Sequence, residues 1–309
     1  MSLTEKEDVR CSDDNTYGLV TGEVKNILTI DVEDWFHTND FNIRKEDWSR
    51  YESRIRRNTE KVLEILDEYD VKATFFVLGG VAESEPSVIR SIIEAGHEIG
   101  SHGSYHEMAD RMKPELFRED VRRSCRSIED ITGVKVIEFR APSWSIGPGN
   151  IWALEVLEEE GIKVDSSFQP FKTFLSGNSK LPMHPFHPVI EGRRLDLIEF
   201  PSTVIGFLGL RMPFSGGAYL RMLPESFIIW AFRMVTRKRP GMIYVHPWEL
   251  DTEQPHIESE FPFNISHYKN LDTTERKMRR LLKEFDFHSL SVAVQNDGFP
   301  DIVVKAQYP

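Results

Sequence analysis

Three acids stand within four residues at Asp31-Val32-Glu33-Asp34. Like charges that close repel one another, so the run is costly unless a cation or an arginine shares the site. His102 and His106 are four residues apart in Ser101-His102-Gly103-Ser104-Tyr105-His106, which puts them on one face if the segment is helical. Neutral imidazole is the commonest metal ligand. Arg140 opens Arg140-Ala141-Pro142-Ser143-Trp144-Ser145 and can hold a neighbouring carboxylate ionised by pairing with it. Asp165-Ser166-Ser167 adds a further acid, and His246-Pro247-Trp248-Glu249 a further histidine. Taken singly, each has a bland reading as a solvated turn, a rim ion pair or an inert histidine. Together they make a set. Two histidines and a carboxylate form a three-ligand site with an open position, typical of catalytic zinc or a related divalent metal. Such a metal lowers the pKa of its water to about 7 and polarises a carbonyl. A second carboxylate can act as base and a separate histidine can protonate the leaving group. That set suits hydrolysis of an amide or ester.

These residues need elements that bring them together. Short apolar runs at NILTID (26–31), VKATFFVL (71–78), HEIGS (97–101), VIEFR (136–140), IKVD (162–165), LDLIEF (195–200) and MIYVH (242–246) read as seven buried strands. Helical spacing fills the gaps: Thr59 to Tyr69, a helix opened by Ser84 and Pro86 and closed by Gly96, Pro114 to Ile131, Ile151 to Glu160 with Asn150 as cap, Pro224 to Arg237, and Thr273 to Phe285. Strands alternating with helices mean parallel strands covered by helices. The expected fold is α/β, a closed or nearly closed (β/α)7 barrel resembling a TIM barrel, with a doubly wound open sheet as the alternative. Its site sits at the C-terminal strand ends, which is where the residues above fall. Residues 1–25 are polar and aperiodic and read as a tail, and 26–309 as one domain.

The chain has 309 residues, 40% hydrophobic and 28% charged, enough to bury a core without disulfides. Two cysteines, Cys11 and Cys125, exclude a disulfide scaffold and a cysteine metal cage. With 38 basic and 50 acidic residues the net charge is −12, which argues against nucleic acid as a partner. The apolar stretch Phe227 to Val235 is too short to span a bilayer. The N-terminus shows no apolar signal region, so a cytoplasmic protein is expected.

The residues resemble the polysaccharide deacetylases of carbohydrate esterase family 4. Thr29-Ile30-Asp31 with the acids that follow matches the first family motif. His97 to His106 holds the histidine–x–x–x–histidine motif, Arg140-Ala141-Pro142 the arginine–x–proline motif, and Val245-His246 lies in the last motif. The runs Asp31 to Phe36, Arg140 to Ser145, Asp165 to Ser167, Glu199 to Thr203 and Gly216 to Pro224 resemble the subgroup associated with exopolysaccharide and exosortase (PEP-CTERM) loci. The resemblance implies Asp31 as base tethered by Arg140, His102 and His106 as metal ligands, and His246 as acid. It implies one divalent metal, zinc first, with cobalt, nickel or iron as alternatives, and an N-acetylated carbohydrate as substrate.

Where the family's common pattern has an aspartate directly after the base, this chain has Val32. The third ligand then comes from Glu33 or Asp34. Strand alternation favours Glu33. A strand that ends or bulges favours Asp34, to which the reading leans. Ser143 stands where tyrosine is usual, and its backbone N–H remains a donor for an oxyanion. Trp35, Trp144 and Trp248 flank the motifs, either as sugar-lining side chains or, equally, as buried packing. The aspartate that orients the acid histidine has no clear match, with Asp165 as stand-in. An N-deacetylase is the leading expectation. A hydrolase of another C–N bond, such as a formamide or cyclic imide, and a non-catalytic glycan-binding relic are the alternatives.

Overall fold

The computed structural model describes residues 25–41, 43–207, 209–295 and 298–306. Apart from Lys25, the tail expected over 1–25 lies outside the described residues, as does Cys11. All seven expected strands form, and all join one parallel sheet. They are β1 (Asn26–Val32), β2 (Thr74–Val77), β3 (Glu98–Ser101), β4 (Glu138–Phe139), β5 (Val164–Asp165), β6 (Ile198–Glu199) and β7 (Met242–Val245). Their spatial order is β7-β1-β2-β3-β4-β5-β6. An eighth strand, β8 (Phe287–His288), pairs with Asn26 and Ile27 at the start of β1, below the point where β2 begins pairing at Thr29. β1 is buried along its whole length: it lies between neighbours, with Leu28, Ile30 and Val32 packed among helix side chains and Ile27 packed among side chains of the other strands.

The sheet curls as a half-barrel. Among the described residues no ladder joins β6 to β7. The chain between them spends its residues on a separate antiparallel hairpin, Val204–Phe207 against Leu210–Pro213. The open side is bridged instead by Thr203 Oγ1, which accepts from the Met242 N–H at 2.8 Å, and by the Ser215 carbonyl, which accepts from the Tyr244 N–H at 3.0 Å.

Helices α1 (Ile55–Glu68), α2 (Gly79–Ser84), α3 (Pro86–Glu94), α4 (Pro114–Thr132), α5 (Trp152–Glu159), α6 (Gly217–Met222), α7 (Glu225–Thr236), α8 (Phe263–Tyr268) and α9 (Thr274–Glu284) cover the sheet. α4 stops at Gly133, whose φ of +67° lets its N–H close on the Glu129 carbonyl. α1 begins a turn before the expected Thr59, held by a residue distant in sequence: Asp34 Oδ2 accepts from the Arg54 N–H at 2.8 Å. Asn150 does not cap α5. Its side chain turns back to the Gly147 N–H and the Ser145 carbonyl, each at 2.9 Å. Leu66, Phe75, Val77, Ile89, Phe232 and Ile243 are fully buried between β1, β2, β7 and their helices. Each such side chain contributes roughly 1.5–3 kcal/mol. Because the strands are parallel, the residues following them gather on one rim.

Candidate metal centre and acid–base site

Asp31 near the end of β1 and Glu33 one residue past it are both buried, and both carboxylates face His246. The Glu33 N–H turns back to the Asp31 carbonyl at 3.0 Å. After β3 the chain does not form a helix. It bends at Gly103, with φ of +73°, and His106 is itself left-handed at +56°. A Cβ on Gly103 would lie 2.9 Å from the Asp120 carboxylate. This turn, rather than a helical face, brings the two imidazoles to a ring separation of 5.2 Å.

Glu33, His102 and His106 each offer a ligand atom, and the three atoms lie within 4.8 Å of one another. His102 Nδ1 faces the Arg140 carbonyl at 2.8 Å, so it carries the proton and leaves Nε2 for a metal. Burial holds the His102 pKa down to about 4, which keeps the ring neutral. Glu33 Oε2 lies 2.7 Å from His106 Nε2 and has no hydrogen-bond donor. Burial pushes the Glu33 carboxyl up, but His106, His246 and His102 outweigh it and hold it below the usual range. A buried, under-satisfied carboxylate facing two imidazoles fits a divalent ion.

Asp34 is not part of this cluster. Its oxygens accept from the Trp35 N–H at 3.0 Å and the Arg54 N–H at 2.8 Å, so it serves the start of α1 and the third ligand position falls to Glu33. β1 ends at Val32, the condition that favours Asp34, yet it is Glu33 that stands with the two histidines.

Arg140 is fully buried at the end of β4. It donates to Asp31 Oδ1 at 2.6 Å and to Thr29 Oγ1 at 2.8 Å, and lies over the Phe76 and Trp144 rings, each at 4.3 Å. That leaves Asp31 Oδ2 facing His246 Nε2 at 3.9 Å, with Glu33 Oε1 3.5 Å from the same nitrogen. His246 follows β7. Its Nδ1 bonds Glu249 Oε1 at 2.6 Å, and its backbone N–H donates to the same oxygen at 3.1 Å. Glu249 is fully buried, and its other oxygen meets Arg221 Nε at 2.8 Å. The Arg221 guanidinium also donates to the carbonyls of Ser266, His267 and Lys269. Burial alone would lower His246, but Glu249, Glu33 and Asp31 raise it to about 9.

Glu249 and Arg221 were not singled out from the sequence. The signal for Glu249 was present, since it stands at the third position of the turn that His246 opens, the spacing of a capping box. Asp165 does not orient His246. It is buried beside Glu199, takes the Ser167 hydroxyl at 2.5 Å, and through Ser167 Oγ steadies the Ala141 N–H. Burial pushes the Asp165 and Glu199 carboxyls up, and Asp165 pushes Glu199 further.

The three tryptophans are buried and present packing rather than an open sugar platform. Trp35 lies against Phe36 and Tyr51 and donates to the Glu52 carbonyl. Trp144 packs on Tyr244 and under Arg140. Trp248 is stacked between His246 and His267, and its Nε1–H donates to Glu33 Oε1 at 3.1 Å. It therefore fixes the carboxylate of the cluster. Ser143, half-buried, ends the rim after Pro142.

A buried candidate metal cluster beside a tethered carboxylate and an oriented histidine, on a parallel half-barrel, has the groups that metal-assisted hydrolysis requires. Residues 46–163 match the polysaccharide deacetylase family, and residues 166–295 match a domain of unknown function, DUF3473. The first part of the chain is thus similar to the polysaccharide deacetylases, and the second to the DUF3473 domain. It is 29% identical to a peptidoglycan deacetylase of Helicobacter pylori over 154 residues, 46% of this chain and 52% of that protein. It is 25% identical to a peptidoglycan-N-acetylglucosamine deacetylase of Bacillus cereus over 120 residues, 35% of this chain and 44% of that protein. The chain spans about half the length of these curated relatives. The fold matches a solved putative polysaccharide deacetylase of Mycobacterium smegmatis, with TM-score 0.60, 20% identity, and coverage of 94% and 96% of the two chains.

Proposed function

We propose that the protein is a metal-dependent N-deacetylase that hydrolyses the acetamide of an N-acetylated amino sugar. The polymer that the motif resemblance favours is an exopolysaccharide or its precursor. The observation that carries this reading is the convergence of the Glu33/His102/His106 cluster, the Arg140-held Asp31 and the Glu249-held His246 on one rim. The likeness to two deacetylases of N-acetylated glycans supports the substrate class.

Glu33, His102 and His106 would hold one divalent ion, and this donor set suits zinc, with cobalt, nickel and iron as further candidates. When bound, such an ion supplies an acidified water and a polarised carbonyl. Arg140 occupies Asp31 Oδ1, so Oδ2 is the oxygen that takes the proton of the attacking water. The Ser143 N–H at the rim is the backbone donor for the developing oxyanion. His246, held at Nδ1 by Glu249, carries its transferable proton at Nε2 and passes it to the departing amine. With its pKa raised to about 9 it is charged at neutral pH, as an acid must be. Acetate and the free amino sugar result.

The test is acetate release from N-acetylglucosamine oligomers by protein loaded with a divalent metal, beside a panel of formamides and cyclic imides. The expected result is acetate release that His246→Ala slows by roughly 100-fold or more. Unchanged activity in that variant, or preferred turnover of a formamide or cyclic imide, would overturn the reading.

A further inference from the structure

Ser143 and Trp144, consecutive non-glycine residues just beyond β4, have φ of +53° and +55°. Left-handed backbone is unfavourable for residues with a Cβ, and at a functional site it persists only where the surroundings hold it. Two loops do so here. From the loop after β1, the Asn39 side-chain amide donates to Ser143 Oγ at 2.8 Å. The same amide reaches the His106 carbonyl at 3.3 Å and lies 3.1 Å from His106 Nδ1. From the loop after β5, the Ser176 hydroxyl donates to the Ser143 carbonyl. Ser176 is itself fixed in a tight loop. The Thr173 N–H donates to its carbonyl at 2.8 Å, and the Asn178 N–H closes on the Gln169 carbonyl at 3.0 Å. The next residue, Gly177, has φ of +89°, and a Cβ there would lie 2.0 Å from the Phe171 carbonyl oxygen.

We infer that Asn39 and Ser176 are positioning residues. They clamp the strained Ser143–Trp144 turn from two loops, so that the Ser143 peptide is preset towards the substrate carbonyl while Asn39 ties that turn to the His106 side of the metal cluster. This rests on the deacetylase reading for its catalytic meaning. The clamp itself rests on hydrogen bonds and backbone angles. A preset N–H costs no reorganisation during reaction, and a small misplacement of such a group is felt in the rate more than in binding.

The experiment uses the full metal-loaded chain and the variants Asn39→Ala, Ser143→Ala, Ser176→Ala, Ser176→Thr and the double variant Asn39→Ala/Ser143→Ala. Acetate release from N-acetylglucosamine oligomers, metal content and thermal melting are measured on each. Each alanine variant is expected to lower kcat roughly 10- to 100-fold, with KM little changed and metal retained. Ser176→Thr, which keeps the hydroxyl, restores the rate. Asn39→Ala and Ser143→Ala delete the same bond, so the double variant is no worse than the poorer single in rate or in melting temperature. Unchanged kcat in Asn39→Ala overturns the inference. So does loss of metal in that variant, which would place the effect on His106. If the wild type releases no acetate, the deacetylase reading fails separately. The clamp is then decided by melting alone: non-additive shifts uphold it, and additive shifts at positions 39 and 143 overturn it.

Discussion

Residues 46–163 and 166–295 build the two sides of one site by different means. The first segment is regular: β2, β3 and β4 follow one another in the sheet, and His102, His106 and Arg140 stand just past strand ends. The second is interrupted by the hairpin at 204–213 and by a small sheet in which His187–Ile190 pairs with Arg193–Arg194 and Asp301–Val303. It contributes His246, and sets that residue through a buried chain of charge, Glu249 to Arg221 to three backbone carbonyls. The two segments are nonetheless joined in one sheet through strands outside both: β5 pairs with β4 and β6, and β1 with β2 and β7. The contrast fits the two tasks. Metal ligands need positions fixed to a fraction of an ångström, which strand ends give. A proton donor needs a tuned pKa, which a buried carboxylate gives wherever the chain can deliver one.

The sharpest way to break this division is at Glu249. Glu249→Gln keeps the shape and removes the charge that raises His246. The variant is expected to lose roughly 10- to 100-fold in kcat while keeping its metal. Its alkaline limb should move to lower pH, because the charged imidazole, held to about 9 in the native protein, would then deprotonate earlier. A pH–rate profile that does not shift would show that Glu249 does not tune the acid.

The regular segment has its own buried acid, at the start of β4. Glu138 on β4 is buried beside Glu98, and burial with that neighbour pushes its pKa up to about 9 from an ordinary 4.5. The folded chain therefore holds a proton there that the unfolded chain releases between those values. Stability contributed by this group is complete below pH 4.5 and falls as pH rises towards 9. Glu138→Gln should flatten that decline and add on the order of 1–3 kcal/mol at pH 8, read from denaturant unfolding at several pH values. An equal decline in wild type and variant would contradict it.

A smaller effect separates Asp34 from Glu33. Asp34→Ala removes the distant cap of α1 and should cost about 1 kcal/mol of stability with metal content unchanged. Loss of metal in that variant would return Asp34 to the cluster.

All seven strands were legible because each is a short apolar run next to a turn signal, and parallel burial leaves no alternation to misread. The candidate residues were legible because parallel strands put their ends on one rim. Long-range geometry was not. Asp34 reads as a ligand beside its neighbours, yet its carboxylate is taken by a helix start twenty residues on. The i, i+4 histidines suggested a helix, whereas left-handed backbone at Gly103 and His106 produces the approach. That Trp248 holds Glu33 could not be read from the sequence, because the two are 215 residues apart. Arg221 gave no local signal at all, since every group it pairs with lies more than twenty residues away.

Metal content tests the central claim most directly. The protein is dialysed, reloaded with zinc and analysed by mass spectrometry under native conditions beside a His102→Ala/His106→Ala double variant. The expected result is about one divalent ion per wild-type chain and none in the double variant. A wild type that binds no ion after reloading, or a double variant that binds as well as the wild type, would contradict the assignment of Glu33, His102 and His106 as the metal centre.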